Sequence, residues 1–119
     1  MSFLTTEQYE ARARIAKALA HPSRLRLLDA LKQKPMCVCE LTDLIGADQS
    51  TVSKHLAILK NAGLVEGHRE GLLTLYRVRC ACLDGFFSCI ESVLRQNLKS
   101  QQAVVRTGTG GSARRRATV

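Results

Sequence analysis

Apolar residues recur at helical spacing over most of this chain, and the clearest helix spans residues 48–63. One face of that helix is apolar and comprises Val52, Leu56 and Leu59. Asp48 can accept a backbone N–H at its start, and Gly63 can adopt the left-handed conformation that ends a helix. The opposite face is small, polar and basic, which is typical either of a solvated surface or of a helix lying in a DNA major groove.

The segment before this helix favours the DNA-binding interpretation. Residues from Glu40 to Gly46 form a short helical pattern that ends at a glycine, and Ala47 provides a turn. Two helices joined by so short a turn have the spacing of a helix-turn-helix motif. The helix over residues 48–63 is then the recognition helix.

A hairpin is predicted directly after the recognition helix. Two β-prone runs, Leu64–Glu66 and Leu73–Val78, are separated by the turn-forming segment His68–Gly71. A helix-turn-helix followed by a hairpin is a winged helix, and Arg69 is placed at the tip of the wing.

Three more helices complete the pattern. The first covers residues 7–19, with Tyr9, Ala13, Ala16 and Leu19 predicted on its buried side, and the second runs from Pro22 to about Lys32. The last runs from about Leu83 to Lys99 and carries a wide apolar stripe of Leu83, Phe86, Phe87, Ile90, Leu94 and Leu98. We expect the last helix to pair with the first in a two-fold homodimer. The predicted fold is α+β, mostly α: a homodimeric winged helix-turn-helix of order α-α-α-α-β-β-α.

The length of 119 residues and the charge complete this outline. Residues 1–103 are predicted to form one domain, and residues 104–119 a disordered basic tail. A formal charge of +8 favours a polyanionic partner.

No apolar run has transmembrane length and no signal peptide is recognisable, so we expect a cytoplasmic protein without membrane contact. No catalytic signature surrounds the three histidines, and an enzyme is not expected.

Five cysteines stand out in a chain expected to be cytoplasmic. Four of them form two pairs, Cys37 with Cys39 and Cys80 with Cys82, while Cys89 lies among apolar residues of the last helix and is expected to be buried and inert. Thiols kept reduced and grouped in pairs indicate metal binding or redox chemistry rather than a disulfide framework.

Three segments together resemble the ArsR/SmtB metalloregulatory repressors. They are Ala18–Leu28, Cys37–Leu41 and Gln49–Val65, and their order and spacing carry the resemblance, which covers residues from about 7 to 99. The resemblance implies a homodimeric winged-helix repressor that binds double-stranded operator DNA and leaves it when a thiophilic ion binds. It implies no organic cofactor. The Cys-Val-Cys-Glu-Leu motif is similar to that of the arsenic(III) and antimony(III) group, and also to that of a cadmium and lead group.

The number of thiolates decides between these ions. Arsenic(III) binds three thiolates, and Thr42 stands where the arsenic group often has its third cysteine. In a winged helix the segment before the motif commonly lies beside the return strand of the wing, so Cys80 or Cys82 is the candidate third ligand to join Cys37 and Cys39. All four cysteines together form the alternative site for cadmium(II), lead(II) or zinc. A thiol-redox repressor and a structural-zinc module without sensing remain further alternatives.

The candidate DNA contacts follow from the recognition helix and the wing. Near the groove we place Gln49, Ser50, Thr51, Ser53, Lys54 and His55, and on the phosphates we place Lys60 and Arg69. The alternative for His55 is a side chain that is simply solvated and makes no DNA contact.

Overall fold

The computed structural model describes residues 3–106 and confirms the predicted winged helix-turn-helix. A first compact unit ends at Cys80, and a second unit, which contains the last helix, begins at Ala81. The elements in chain order are α1 (Thr6–Leu19), α2 (Pro22–Leu31), β1 (Met36–Cys37), α3 (Val38–Ile45), α4 (Gln49–Asn61), β2 (Val65–Glu70), β3 (Leu73–Val78) and α5 (Leu83–Arg106). The predicted order of helices and hairpin is observed, and among the elements of the described residues β1 is the one that the pattern did not predict.

The core of the first unit is built from α2, α3, α4 and β2. Its largest fully buried side chains are Leu27, Leu28, Leu41, Val52, Leu56, Leu59 and Val65. Each such side chain contributes about 1.5–3 kcal/mol when it is removed from water. The predicted apolar face of α4 is therefore the face that fixes this helix on the domain.

The helix ends follow local signals. The N-cap of α1 is Thr5, whose hydroxyl accepts from the backbone of Gln8 while the Gln8 side chain accepts from Thr5. Gly63 has a φ of 84° directly after α4, and its N–H donates to the carbonyl of Lys60. The predicted left-handed end of the recognition helix is confirmed.

Exposure of α1 differs from the prediction. Leu19 is buried, but Tyr9, Ala13 and Ala16 are exposed in the single chain, because only the C-terminal end of α1 contributes buried residues. The prediction that these three residues are buried is wrong for one chain taken alone.

The helix α5 is longer than predicted. It continues to Arg106, so residues 104–106, which were assigned to the tail, are helical, and the rest of the predicted tail lies outside the described residues. Leu83 is buried, whereas Ile90, Leu94 and Leu98 of the apolar stripe are exposed. Within residues 3–106, no helix is long and apolar enough to cross a membrane.

The sheet has three antiparallel strands in the order β1-β3-β2. β2 runs to Glu70, further than predicted, so the hairpin turn consists of Gly71, with a φ of 61°, and Leu72. β1 pairs with the middle of β3, where Cys37 faces Leu75. The wing is therefore hydrogen-bonded, through β3, to the short strand that directly precedes α3.

Candidate nucleic-acid interface and cysteine pair

The recognition helix presents its predicted polar face to solvent. Gln49, Ser50, Thr51, Ser53, Lys54 and Lys60 are exposed, and His55 is half-buried. The helix is held from behind by α3 and by the buried Val52, Leu56 and Leu59. The candidate groove contacts therefore lie on one accessible surface of α4.

Asp48 begins α4 in a different way from the prediction. Its backbone has the N-cap conformation, but its side chain makes no capping hydrogen bond, and the hydroxyl of Ser50 donates to Asp48 Oδ2 at 3.2 Å. Side-chain hydrogen bonds from Thr51 and then from Ser50 lower the pKa of Asp48. Asp48 therefore stays ionised at neutral pH and engages two hydroxyls that the sequence assigns to DNA.

The wing carries Arg69 near its tip. This exposed residue faces Thr74 across the hairpin, and its Nε donates to the carbonyl of Gly71 at 3.2 Å. Lower on the wing, Glu66 pairs with Arg77 at 3.1 Å and with Arg79 at 3.9 Å. The guanidinium of Arg69 is thus held at the turn.

Cys37 is buried, with 4% of its surface exposed, and is the N-cap of α3. Its Sγ accepts from the backbone N–H of Glu40 at 3.4 Å, and Glu40 Oε1 accepts from the backbone N–H of Cys37 at 3.2 Å. This is a capping box in which a cysteine takes the usual place of serine or threonine. The role of Glu40 was missed in the sequence, although its position three residues after the N-cap was a usable signal.

Four of the five cysteines are oxidised, contrary to the expectation of reduced thiols. Cys37 and Cys39 form a disulfide with their Cα atoms 5.4 Å apart, a separation that disulfides commonly have. Cys80 and Cys82 are disulfide-bonded as well. Cys89 is a free cysteine and is exposed on α5, so the prediction that it is buried is wrong.

The strand register places Cys37 beside the return strand of the wing. Cys37 lies opposite Leu75, and β3 then runs away from it, so Cys80 follows five residues later. β3 ends at Val78, three positions beyond Leu75, which is about 10 Å along the strand. The Met36–Cys37 segment therefore lies beside the return strand of the wing, as expected, next to Leu75 and Tyr76. Within the described part of the chain, no group of three His, Cys, Asp or Glu side chains could hold a metal ion.

A helix packed against an exposed polar helix, followed by a hairpin with a basic tip, defines a winged helix-turn-helix DNA-binding protein. Residues 21–67 match the family model described as bacterial regulatory protein, arsR family. An HTH-type transcriptional regulator of Mycobacterium tuberculosis, Rv0081, is 32% identical over 107 residues, which cover 88% of this chain and 94% of the relative. The chain belongs to the ArsR family of DNA-binding transcriptional regulators, which are not enzymes.

Two further comparisons support this assignment. The HTH-type transcriptional repressor SmtB of Mycobacterium tuberculosis is 42% identical over 72 residues, covering 60% of this chain and 53% of that protein. The homodimeric winged helix-turn-helix DNA-binding domain Mb0332 of Mycobacterium bovis, described as a possible ArsR-family transcriptional regulator, has a TM-score of 0.70. It is 32% identical and covers 82% of this chain and 94% of that one.

Proposed function

We propose that this protein is a homodimeric repressor that leaves its operator when arsenic(III) or antimony(III) binds reduced Cys37 and Cys39. The carrying observation is that the Cys37 sulfur caps α3, the helix packed against the recognition helix α4. A ligand that takes this sulfur removes the cap from α3. Chemistry at the cysteine pair therefore acts directly on the element that supports DNA contact.

Cys37 and Cys39 supply two of the three thiolates that arsenic(III) binds. Cys37 and Cys39 place two sulfurs within bonding distance of each other, and thiolates are the ligands that soft ions prefer. Their disulfide must be reduced before either sulfur can bind an ion. The SmtB relative is named a repressor, which supports repression as the mode of regulation.

A third thiolate is assigned to Cys80 or Cys82. Because Cys80 and Cys82 are disulfide-bonded, recruiting either residue requires reduction and movement of the chain after Val78, or a contribution from a second protomer. Such a movement would pull on the wing and on the start of α3 together. For tenfold release, the ion must favour the low-affinity conformation by about 1.4 kcal/mol. The alternative, a cadmium(II) or lead(II) site, would use all four cysteines.

The operator contacts proposed are the six groove residues of α4 named above, together with Lys60 and Arg69 on phosphates. Their exposure and the charge of the chain support this assignment. Dimerisation is supported by the homodimeric Mb0332 domain and by exposed apolar side chains on α1 and α5, among them Ile15, Ile90 and Leu94. A dimer would present two recognition helices to two half-sites about one DNA turn apart, or a multiple of it.

The Cys37–Cys39 disulfide favours a second candidate function, a repressor that senses oxidants. Two thiols would give up two electrons and two protons to hydrogen peroxide, forming the disulfide and two water molecules. This reaction removes the same two sulfurs from ion binding. An ion sensor therefore needs both thiols reduced, whereas an oxidant sensor responds by joining them in a disulfide.

Fluorescence anisotropy of a labelled promoter duplex tests both. Under reducing conditions we expect arsenite and antimonite to release the protein at concentrations where cadmium and lead have no effect. The Cys37→Ser Cys39→Ser variant should stay bound, whereas Cys89→Ser, the matched control at an exposed cysteine, should respond like the unmodified chain.

Three other outcomes would contradict the arsenic(III) proposal. Release by cadmium or lead alone would favour the four-cysteine site. Release by peroxide with no response to any ion would favour the redox sensor. Release of the double variant by arsenite would show that Cys37 and Cys39 are not the site.

A further inference from the structure

Arg24 of α2 connects the end of α1 to the recognition helix. Its Nε donates to the carbonyl of Ala18 at 2.6 Å and its Nη2 donates to the carbonyl of Lys17 at 3.2 Å. Its Nη1 lies 3.3 Å from Nδ1 of His55 on α4. One half-buried guanidinium thus binds the last carbonyls of α1 and a side chain of the recognition helix.

A second histidine completes this group, which we call the His-Arg cluster and define as His21, Arg24 and His55. The rings of His21 and His55 have centroids 4.4 Å apart and are tilted by 50°. His21 is the N-cap of α2, and its Nδ1 accepts from the backbone N–H of Ser23 at 3.1 Å. In both imidazoles, therefore, Nδ1 has a hydrogen-bond partner within the protein.

The hydrogen bonding requires a neutral His55. A guanidinium can only donate, so Nδ1 of His55 must accept from Arg24 and its proton must lie on Nε2. Burial, followed by the neighbouring His21 and Arg24, lowers the pKa of His55. The titratable or charged neighbours that act on His55 are His21 and Arg24, at the start of α2 and within it. Proton uptake would place two N–H donors face to face.

We propose that Arg24 positions the recognition helix through His55, and that protonation of His55 breaks this contact and weakens operator binding. The inference rests on the proposed DNA-binding function and gives His55 a role in it through Arg24, in addition to its place among the groove residues. Below about pH 6.5, conformations that release His55 from Arg24 take up the proton more readily, so they gain population as the pH falls. The sign follows directly: acid disfavours the arrangement that binds DNA.

A direct phosphate contact by His55 predicts the opposite sign. A protonated imidazole beside a phosphate would strengthen binding in acid, as would protonation of the exposed His68 on the wing. The direction of the pH effect therefore separates the two roles of His55. To remove the contribution of the wing histidine, the measurements are made in a His68→Gln background.

The experiment measures Kd by anisotropy for the full chain on a duplex selected at about pH 7.5 from random DNA, with a scrambled duplex alongside. We expect Kd to rise about threefold to tenfold between about pH 7.5 and pH 5.5, because uptake of one proton below about pH 6.5 changes Kd by at most about tenfold per pH unit. His55→Gln should reduce this ratio to less than about twofold, while circular dichroism shows the same helix content.

Arg24 is tested against a matched control on the same helix. Arg24→Gln should weaken binding at about pH 7.5 by roughly fivefold and abolish the acid effect. Arg26→Gln removes the same charge from an exposed position and should keep the full acid effect.

Two results would overturn the proposal while leaving DNA binding intact: stronger binding in acid, or an acid effect in His55→Gln as large as in the background protein. Failure to select any duplex at neutral pH would instead contradict the proposed function itself. The two failures are thus distinguishable.

Discussion

The sulfur of Cys37 has a structural role that can be separated from its proposed role in sensing. It accepts the Glu40 N–H as the N-cap of α3 and is 4% exposed. In Cys37→Ala, the cap is lost at a cost of about 0.5–2 kcal/mol. Removing a small buried apolar group adds roughly 0.8 kcal/mol. We therefore expect the free energy of unfolding to fall by about 2 kcal/mol.

Two matched variants isolate the cap. Cys37→Ser keeps an acceptor in the same position, so its stability should stay within about 1 kcal/mol of the reduced parent protein. Cys39→Ala makes the same chemical change two residues later, at an exposed position with no capping bond, and should cost less than about 0.5 kcal/mol.

Urea unfolding followed by circular dichroism, with all proteins reduced, measures these differences. The three variants should rank with Cys37→Ala as the least stable, and the denaturant slope should not change. Equal losses in Cys37→Ala and Cys39→Ala would refute the capping role. A loss in Cys37→Ser as large as in Cys37→Ala would show that burial of the thiol, and not the cap, sets the stability.

Three further predictions concern the recognition helix. Leu56→Ala removes a side chain that is 1% exposed and should cost about 2–5 kcal/mol in urea unfolding, whereas Ile58→Ala, at an exposed position, should cost less than about 1 kcal/mol. Gly63→Ala should lower the free energy of unfolding by about 1 kcal/mol, because alanine is strained at a φ of 84°. The new Cβ would add no clash, since its nearest neighbour, Arg79 Nη1, lies at an ordinary contact distance of 3.5 Å. A loss above about 3 kcal/mol would contradict this reasoning. Lys54→Ala should reduce the salt slope of operator binding by about one, and an unchanged slope would argue against a phosphate contact.

Local signals in the sequence determined most of the helices and the hairpin. The period of Val52, Leu56 and Leu59 and the glycine after α4 act over one or two helical turns, so they can be recognised without knowledge of the partner surface. The family motifs likewise lie within short segments. The winged helix-turn-helix and the family were therefore predictable.

The tertiary structure decided the features that join distant segments. β1 consists of two residues, too short for any periodic pattern, and it forms because Met36 meets Tyr76, forty positions later. Its register places Cys37 opposite Leu75, which the spacing of the cysteines could not indicate. The contact between Arg24 and His55 also joins segments 31 residues apart.

The exposure of α1 illustrates the same division. Tyr9, Ala13 and Ala16 follow a helical period that predicts a buried face, yet no element within residues 3–106 of the single chain buries them. A hydrophobic period predicts that one face of a helix will be buried, but it does not identify the surface against which that face packs. Local hydrogen bonding and periodicity thus determined the elements of this protein, while strand register and packing between distant segments decided the surroundings of its cysteines and of its recognition helix.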